Sequence, residues 1–316
     1  MGSAAGTTER EEPVVTIQLP PLHGKVGLVA GGTRGAGRGI AVELATAGAT
    51  VYITGRSSRA GRSDMDRPET IEETAELAAA VGGTGFAVRC DHSDPTQVAA
   101  LLRRVRGEQG RLDILVNDIW GGDPLTEWDT PFWQLDLTKV RAMWKRAVLT
   151  HLITSQHAVP LMIEQPGGLI VEVTDGVGSH YRGNLAYDLT KTAVNRLAFA
   201  QAQELRPYGL TALAVTPGFL RSEAMLDGFG VTEATWRDAV RQDPNFAASE
   251  SPRYLGRVVA ALAADPRVHR RSGQVLTSWD LAEEYDLDDI DGNRPHWGRH
   301  ATDHKLAGET AQPAGG

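Results

Sequence analysis

The chain has 316 residues, 41% hydrophobic and 23% charged, with a formal net charge of -8. That is enough apolar material for one large α/β domain or two small ones, in an ordinary soluble composition. The negative balance argues against a nucleic-acid surface, which needs clustered Lys and Arg, and gives no reason to expect an anionic membrane.

The single Cys90 excludes an internal disulfide and a CxxC metal or redox site, and fits a reducing, cytoplasmic setting. No apolar run approaches the roughly 18 residues of a membrane span. The first twenty residues carry acids and lack an apolar signal core, so 1–21 is expected to be a flexible tail.

Short β-branched runs then alternate with Ala/Leu-rich helical stretches. Strands are expected at VGLVA (26–30), TVYIT (50–54), GFAVR (85–89), ILVND (114–118), LIVEV (169–173), TALAV (211–215) and QVLTS (274–278). Most are apolar on both faces, as strands buried between two helix layers are. Helices are expected near 37–47, 69–80, 95–106, 130–163, 185–206 and 251–264, with short helices over 219–250. The pattern predicts one α/β domain over 22–282: a doubly wound parallel sheet of about seven strands, Rossmann-type, with helices on both faces. Residues 283–316 are expected to form a C-terminal extension and a flexible tail.

The stretch AGGTRGAGRGI (30–40) lies between the first strand and the first helix. There Gly31, Gly35 and Gly37 can make a tight turn, admit a pyrophosphate to the backbone and let helix pack on strand. The helix N-terminus offers free N–H groups, with Thr33 and Ala36 in the same loop. An acid at the end of the second strand would bind a ribose 2′-hydroxyl and indicate NAD. Arg56 stands there instead, and Arg34 lies inside the loop. Two guanidiniums suit a 2′-phosphate, so NADP(H) is preferred over NAD. The alternative is two solvated arginines in an Arg-rich chain.

Tyr187 and Lys191 fall at i and i+4 of the fifth expected helix, so they share a face. An ammonium beside a phenol lowers the phenol's pKa toward the range useful for acid–base catalysis. Only five lysines occur in the chain, which adds weight to this placement.

With AGGTRGAG, Arg56 and YDLTK in hand, the chain resembles the short-chain dehydrogenase/reductase family over about 22–280. The nearest likeness is to its dehydrogenase/reductase member 1-like subgroup, which shares GATVYITGR and a GLIV strand. The resemblance implies a hydride-transferring enzyme acting on a small-molecule carbonyl or alcohol, with Tyr187 as acid–base and Lys191 also on the nicotinamide ribose. It places Asp91, with His92 beside it, at the adenine, and Asn117 at the first residue of the family's NNAG. Pro217, Gly218 and Phe219 fall in the turn that flanks the nicotinamide, with Ser222 in place of a Thr. Asp118-Ile119-Trp120 departs from NNAG. The resemblance also implies a homodimer or homotetramer built on the helices near 130–163 and 185–206.

Two helper positions of the family are exchanged. Its catalytic serine falls at Asp175, with Thr174 as a fallback hydroxyl, and its asparagine falls at Ala147. An ionised Asp175 accepts hydrogen bonds but cannot donate one to a developing alkoxide, whereas a neutral one could. Asp175 is therefore expected to be neutral or charge-paired and to position substrate, unless it merely caps the following turn. The exchanges keep open a non-redox activity, such as dehydration, isomerisation or cyclisation, on the same fold.

No metal is expected. DLDDIDG (286–292) fails the EF-hand register, and His296, His300 and His304 flank Pro295 and Gly298, which makes a helical metal site doubtful and favours solvated histidines. Trp120 is expected at the substrate pocket. Trp128, Trp133 and Trp144 suit either that pocket or core and subunit packing.

Overall fold

The computed structural model describes residues 21–178, 180–304 and 306. The expected N-terminal tail, apart from Pro21, and the C-terminal tail lie outside the described residues. Seven parallel strands form one sheet: β1 (Val26–Ala30), β2 (Thr50–Gly55), β3 (Thr84–Arg89), β4 (Ile114–Asn117), β5 (Leu169–Val173), β6 (Thr211–Thr216) and β7 (Val275–Thr277). Their order is β3-β2-β1-β4-β5-β6-β7. All seven expected strands are present.

The central strands β1, β4, β5 and β6 are buried at every position, which their Val, Leu, Ile and Ala content permits. β1 pairs with β2 on one side (Val26 opposite Thr50) and with β4 on the other (Gly27 opposite Ile114). The winding direction reverses between β1 and β4, and a crevice opens beyond the carboxyl ends of these strands, where ligands bind in such sheets.

Local chemistry sets the helix ends. α1 (Gly35–Thr46) begins two residues before its expected start, directly out of the glycine turn. α2 (Ile71–Ala80) starts from a capping box in which Thr70 and Glu73 satisfy each other's backbone. α3 (Pro95–Gln109) is capped by Asp94, carries Pro at its first position and stops at Gly110, which takes a left-handed conformation. The expected long helix over 130–163 is not continuous. Asp136 caps α4 (Leu137–Trp144), a wide π turn follows over Lys145–Leu149, and α5 runs Thr150–Met162. The turn is held by Thr150 Oγ1 donating to the Arg146 carbonyl at 2.7 Å, and helical period alone could not reveal it.

Asn184 caps α6 (Leu185–Leu205) by accepting from the Ala186 and Tyr187 N–H groups, which fixes Tyr187 in the first turn. The expected short helices over 219–250 are α7 (Glu223–Gly228) and two 3-10 segments, followed by α8 (Pro252–Ala264).

Beyond β7 the chain continues as α9 (Ser278–Glu284) and α10 (Trp297–Asp303). The acidic stretch between them is an anchor. Asp289 is buried and accepts from Ser251 N–H at 2.8 Å and from Arg221 Nη2 at 3.2 Å. The histidine run is helical after all, since His296 caps α10 and His300 stacks between Trp297 and His304. Among the described residues no helix is long and apolar enough to cross a membrane.

Candidate active site

A cleft of about 830 Å³ runs along the carboxyl ends of the strands, from Arg34, Arg56 and Asp91 to Tyr187, Pro217 and Trp297. The glycine turn forms its floor. Gly31 has φ +96°, and a Cβ there would strike the Asp118 carbonyl; a Cβ on Gly37 would strike the Gly31 carbonyl. Arg34 supplies no side-chain cap to α1, and two carboxylates sit on that terminus instead. Glu223 Oε2 accepts from Gly35 N–H at 2.7 Å, and the Asp118 carboxylate lies against Gly37, where a Cβ would come within 2.8 Å of its Oδ2. Burial pushes the Asp118 carboxyl up to about 7, against the pull of Lys191, the Gly37 N–H and His151. Helix ends that collect carboxylates in this way are anion sites, so the residues present fit a dinucleotide pyrophosphate.

At the far end Arg34 Nε pairs with Glu69 at 3.1 Å and Arg56 Nη2 with Asp64 at 2.6 Å; Ser57, Ser63 and Arg67 line the same wall. Asp64 also binds Arg146, so the loop after β2 is fastened across the cleft to the π turn. Asp91 is held below the usual carboxylate range although burial opposes it, because Ser93 N–H and Arg56 favour its charge. His92 also lines the cleft, but its ring is bound on both sides, to Thr54 and Thr154 at 2.8 Å each, and burial lowers it to about 4.

At the near end the Tyr187 hydroxyl donates to Asp175 Oδ2 at 2.6 Å. The Tyr187 ring meets Trp120 edge-on at 5.4 Å and Trp128 at 5.0 Å between centroids. The Lys191 ammonium lies 4.2 Å from the Trp120 ring centroid and 5.5 Å from that of Tyr187. Burial and then Asp175 push the phenol upward, opposite to the lowering expected from Lys191 alone. Burial lowers Lys191 itself, opposed by Asp175, Asp118 and Asp123. Among the described residues no backbone N–H is bonded to the Asp175 carboxylate, and the Gly176 N–H goes to Thr216 Oγ1 at 2.8 Å. Thr174 lines the cleft, with its hydroxyl on the Lys191 carbonyl at 3.3 Å.

Of the expected cofactor residues, Gly31, Thr33, Arg34, Gly35, Ala36, Arg56, Asp91, His92, Lys191, Pro217, Gly218 and Phe219 line the cleft. Gly37 and Asn117 do not. Gly37 serves through its N–H and its close packing. Asn117 is fully buried beneath the cleft and donates to Ser155 and Glu172 at 3.0 Å each, so its role is internal. Ala147 is buried in the π turn and offers no polar group.

Sequence reasoning missed several residues. Glu172, central in an apolar strand, is itself a signal, because a buried acid must be paired. Its Oε2 lies 2.7 Å from His151 Nδ1, and His151 Nε2 lies 3.0 Å from the Ile119 carbonyl. Two acceptors facing one ring require either an imidazolium against a carboxylate or a protonated Glu172, in both cases a net-neutral pair. Trp297 and Trp279 also reach the cleft, and Glu250, raised by burial to about 7, holds the Gly218 N–H at 3.0 Å. Nothing in the spacing of the chain placed these near residue 218. Trp128, Trp133 and Trp144 are exposed instead and do not line the cleft, although Trp128 packs on the Tyr187 ring.

The short chain dehydrogenase family model matches residues 25–228, and the chain belongs to that family. Dehydrogenase/reductase SDR family member 1 of Mus musculus is 38% identical over 279 residues, spanning 87% of this chain and 86% of the mouse protein. The Homo sapiens protein of the same name is 34% identical, with 86% and 85% covered. A solved 7 alpha-hydroxysteroid dehydrogenase, complexed with NADH and 7-oxo glycochenodeoxycholic acid, superposes with TM-score 0.66 at 25% identity, covering 81% of this chain and 93% of that one. The protein is thus an oxidoreductase of the short-chain dehydrogenase family, which uses a nicotinamide cofactor.

Proposed function

We propose that the protein is an NADP(H)-dependent oxidoreductase for a carbonyl/alcohol pair, with Tyr187 as the acid–base. The observation that carries this is the Tyr187–Asp175 hydrogen bond of 2.6 Å at the end of a cleft floored by the glycine turn. The nicotinamide, when bound, supplies or accepts the hydride. Backbone N–H groups of the glycine turn hold the pyrophosphate, and Lys191 and the Pro217-Gly218 turn hold the nicotinamide end. Asp91 receives the adenine.

Arg34 and Arg56 favour the 2′-phosphate of NADP(H) over the bare ribose of NAD, each exchanging a carboxylate for phosphate oxygens. The phenol works as a relay. During alcohol oxidation it takes the substrate hydroxyl proton while its own proton passes to Asp175 Oδ2 and on to water; reduction reverses the path. A phenol that never ionises fully can therefore serve, despite its raised pKa. The exposed apolar side chains Leu149 at the end of the π turn, Leu152 on α5, and Leu189 and Phe199 on α6 suit the subunit contact of a homo-oligomer.

The test is nicotinamide absorbance with a panel of ketones and alcohols. Turnover with NADP(H) that falls by about 100-fold or more in Tyr187→Phe, with dinucleotide affinity retained, supports the proposal. Tight NADPH binding with no turnover on any member of the panel refutes it.

A further inference from the structure

We infer that the substrate carries a cationic nitrogen close to the carbon that is oxidised, as in an amino alcohol, or its amino ketone in reverse. The inference rests on the oxidoreductase proposal and specifies its substrate class. It begins with what surrounds the Tyr187 hydroxyl. Asp175 presents a carboxylate to the atom that handles the substrate oxygen. Asp123 lines the same end of the cleft, accepts from Trp120 Nε1 at 2.6 Å, and acts electrostatically on both Tyr187 and Lys191. Two indoles flank the phenol: Trp120, which lines the cleft, and Trp128, an exposed ring 5.0 Å from that of Tyr187.

Carboxylates repel an oxygen that gains negative charge, so for a neutral substrate this is a poor environment. For a substrate with an ammonium next to the reacting carbon it is a good one, because the cation offsets both the carboxylates and the transient negative charge on oxygen. The indole faces add cation–π attraction. The molecule already displays that preference: its own Lys191 ammonium lies over the Trp120 ring at 4.2 Å.

Two of the positive groups nearby are already engaged. Arg182 pairs with Asp188 at 2.9 Å and donates to the Asp175 carbonyl at 2.7 Å, and Arg146 is taken by Asp64 and the Gly121 carbonyl. Lys145 and His180 also line the cleft. Lys191 faces the nicotinamide ribose in the proposal above. The reaction balances with NADP⁺ as oxidant. The carbinol C–H leaves as hydride, the O–H proton goes through Tyr187 and Asp175 to water, and the ammonium is unchanged.

The decisive pair of probes is an aryl amino alcohol whose nitrogen is trimethylated, fixing its charge, and its carbon isostere with tert-butyl in that place. With full-length protein and NADP⁺, kcat/KM for the ammonium compound should exceed that for the isostere by about tenfold or more, and the ratio should shrink toward one in Asp123→Asn and Trp128→Leu. Equal or reversed preference overturns the inference while leaving the oxidoreductase proposal intact. If neither alcohol nor any ketone reacts, that proposal fails, and binding still decides the inference. Quenching of tryptophan fluorescence should show phenyltrimethylammonium binding about tenfold or more tighter than tert-butylbenzene. Equal affinities would sink it.

Discussion

Replacing Asp175 with Asn tests the relay most directly. The side chain keeps its size but loses its charge and its capacity to hold the phenol's proton. A hydrogen bond to a charged acceptor contributes about 1.5–3 kcal/mol. At about 1.4 kcal/mol per pH unit, its loss moves the phenol's titration down by about one to two pH units. The direction follows from the structure: Asp175 raises Tyr187, so its neutralisation lowers it. In the wild type the relay needs an ionised Asp175 rather than an ionised phenol, so in alcohol oxidation the pH–rate profile of the variant, whose phenol must itself lose the proton, should rise at higher pH than that of the wild type. Its plateau should be lower by about 100-fold or more, because the relay has lost its terminal acceptor.

Asp175→Ser, which installs the residue of the wider family, should recover part of the plateau but keep the displaced profile. The assay is initial rate of NADP⁺ reduction from pH 5 to 11, on variants whose folding is checked by circular dichroism. Unchanged kcat and an unshifted profile in Asp175→Leu would refute the reasoning, since no acceptor would remain for the proton.

Three further outcomes are expected. Arg56→Ala should raise the KM for NADPH by about 10- to 100-fold while leaving that for NADH nearly constant, the loss of one charge-assisted contact, measured by steady-state kinetics with both coenzymes. Asp118 must be neutral beside a bound pyrophosphate. Because its carboxyl titrates at about 7, dinucleotide affinity should fall as pH rises through that value, by at most about tenfold per unit. Calorimetric titration at pH 6 and 8 should show this slope in the wild type and its absence in Asp118→Asn. Asp289→Ala leaves Arg221 buried at 1% exposure without one of its carboxylates, and should cost about 3–5 kcal/mol in urea unfolding. A loss under about 1 kcal/mol would mean Glu233 and the Ser249 carbonyl suffice.

The sequence by itself determined the sheet, the glycine turn and the Tyr187–Lys191 pair. These rest on local rules: period, β-branching, caps, and residues four apart on one helix face. Apolar strands with no polar face can only be buried on both sides, so the layer order followed from composition along the chain. The likeness of Asp175 to the family's serine position was also legible, because β5 is short and its end is sharp.

What only the tertiary structure decided is what stands opposite each group. That Asp175 accepts the phenol's hydrogen bond, that Asp118 and Glu223 meet the end of α1, and that Trp297 lines the cleft are contacts between residues on different elements. No local periodicity encodes them. The same holds for pKa: spacing offered Lys191 as the neighbour that would lower Tyr187, but burial and a carboxylate, both properties of the packed molecule, turned the shift the other way. The break in the helix over 130–163 belongs here too, for Arg146 within its π turn reaches Asp64 and Gly121 on other elements.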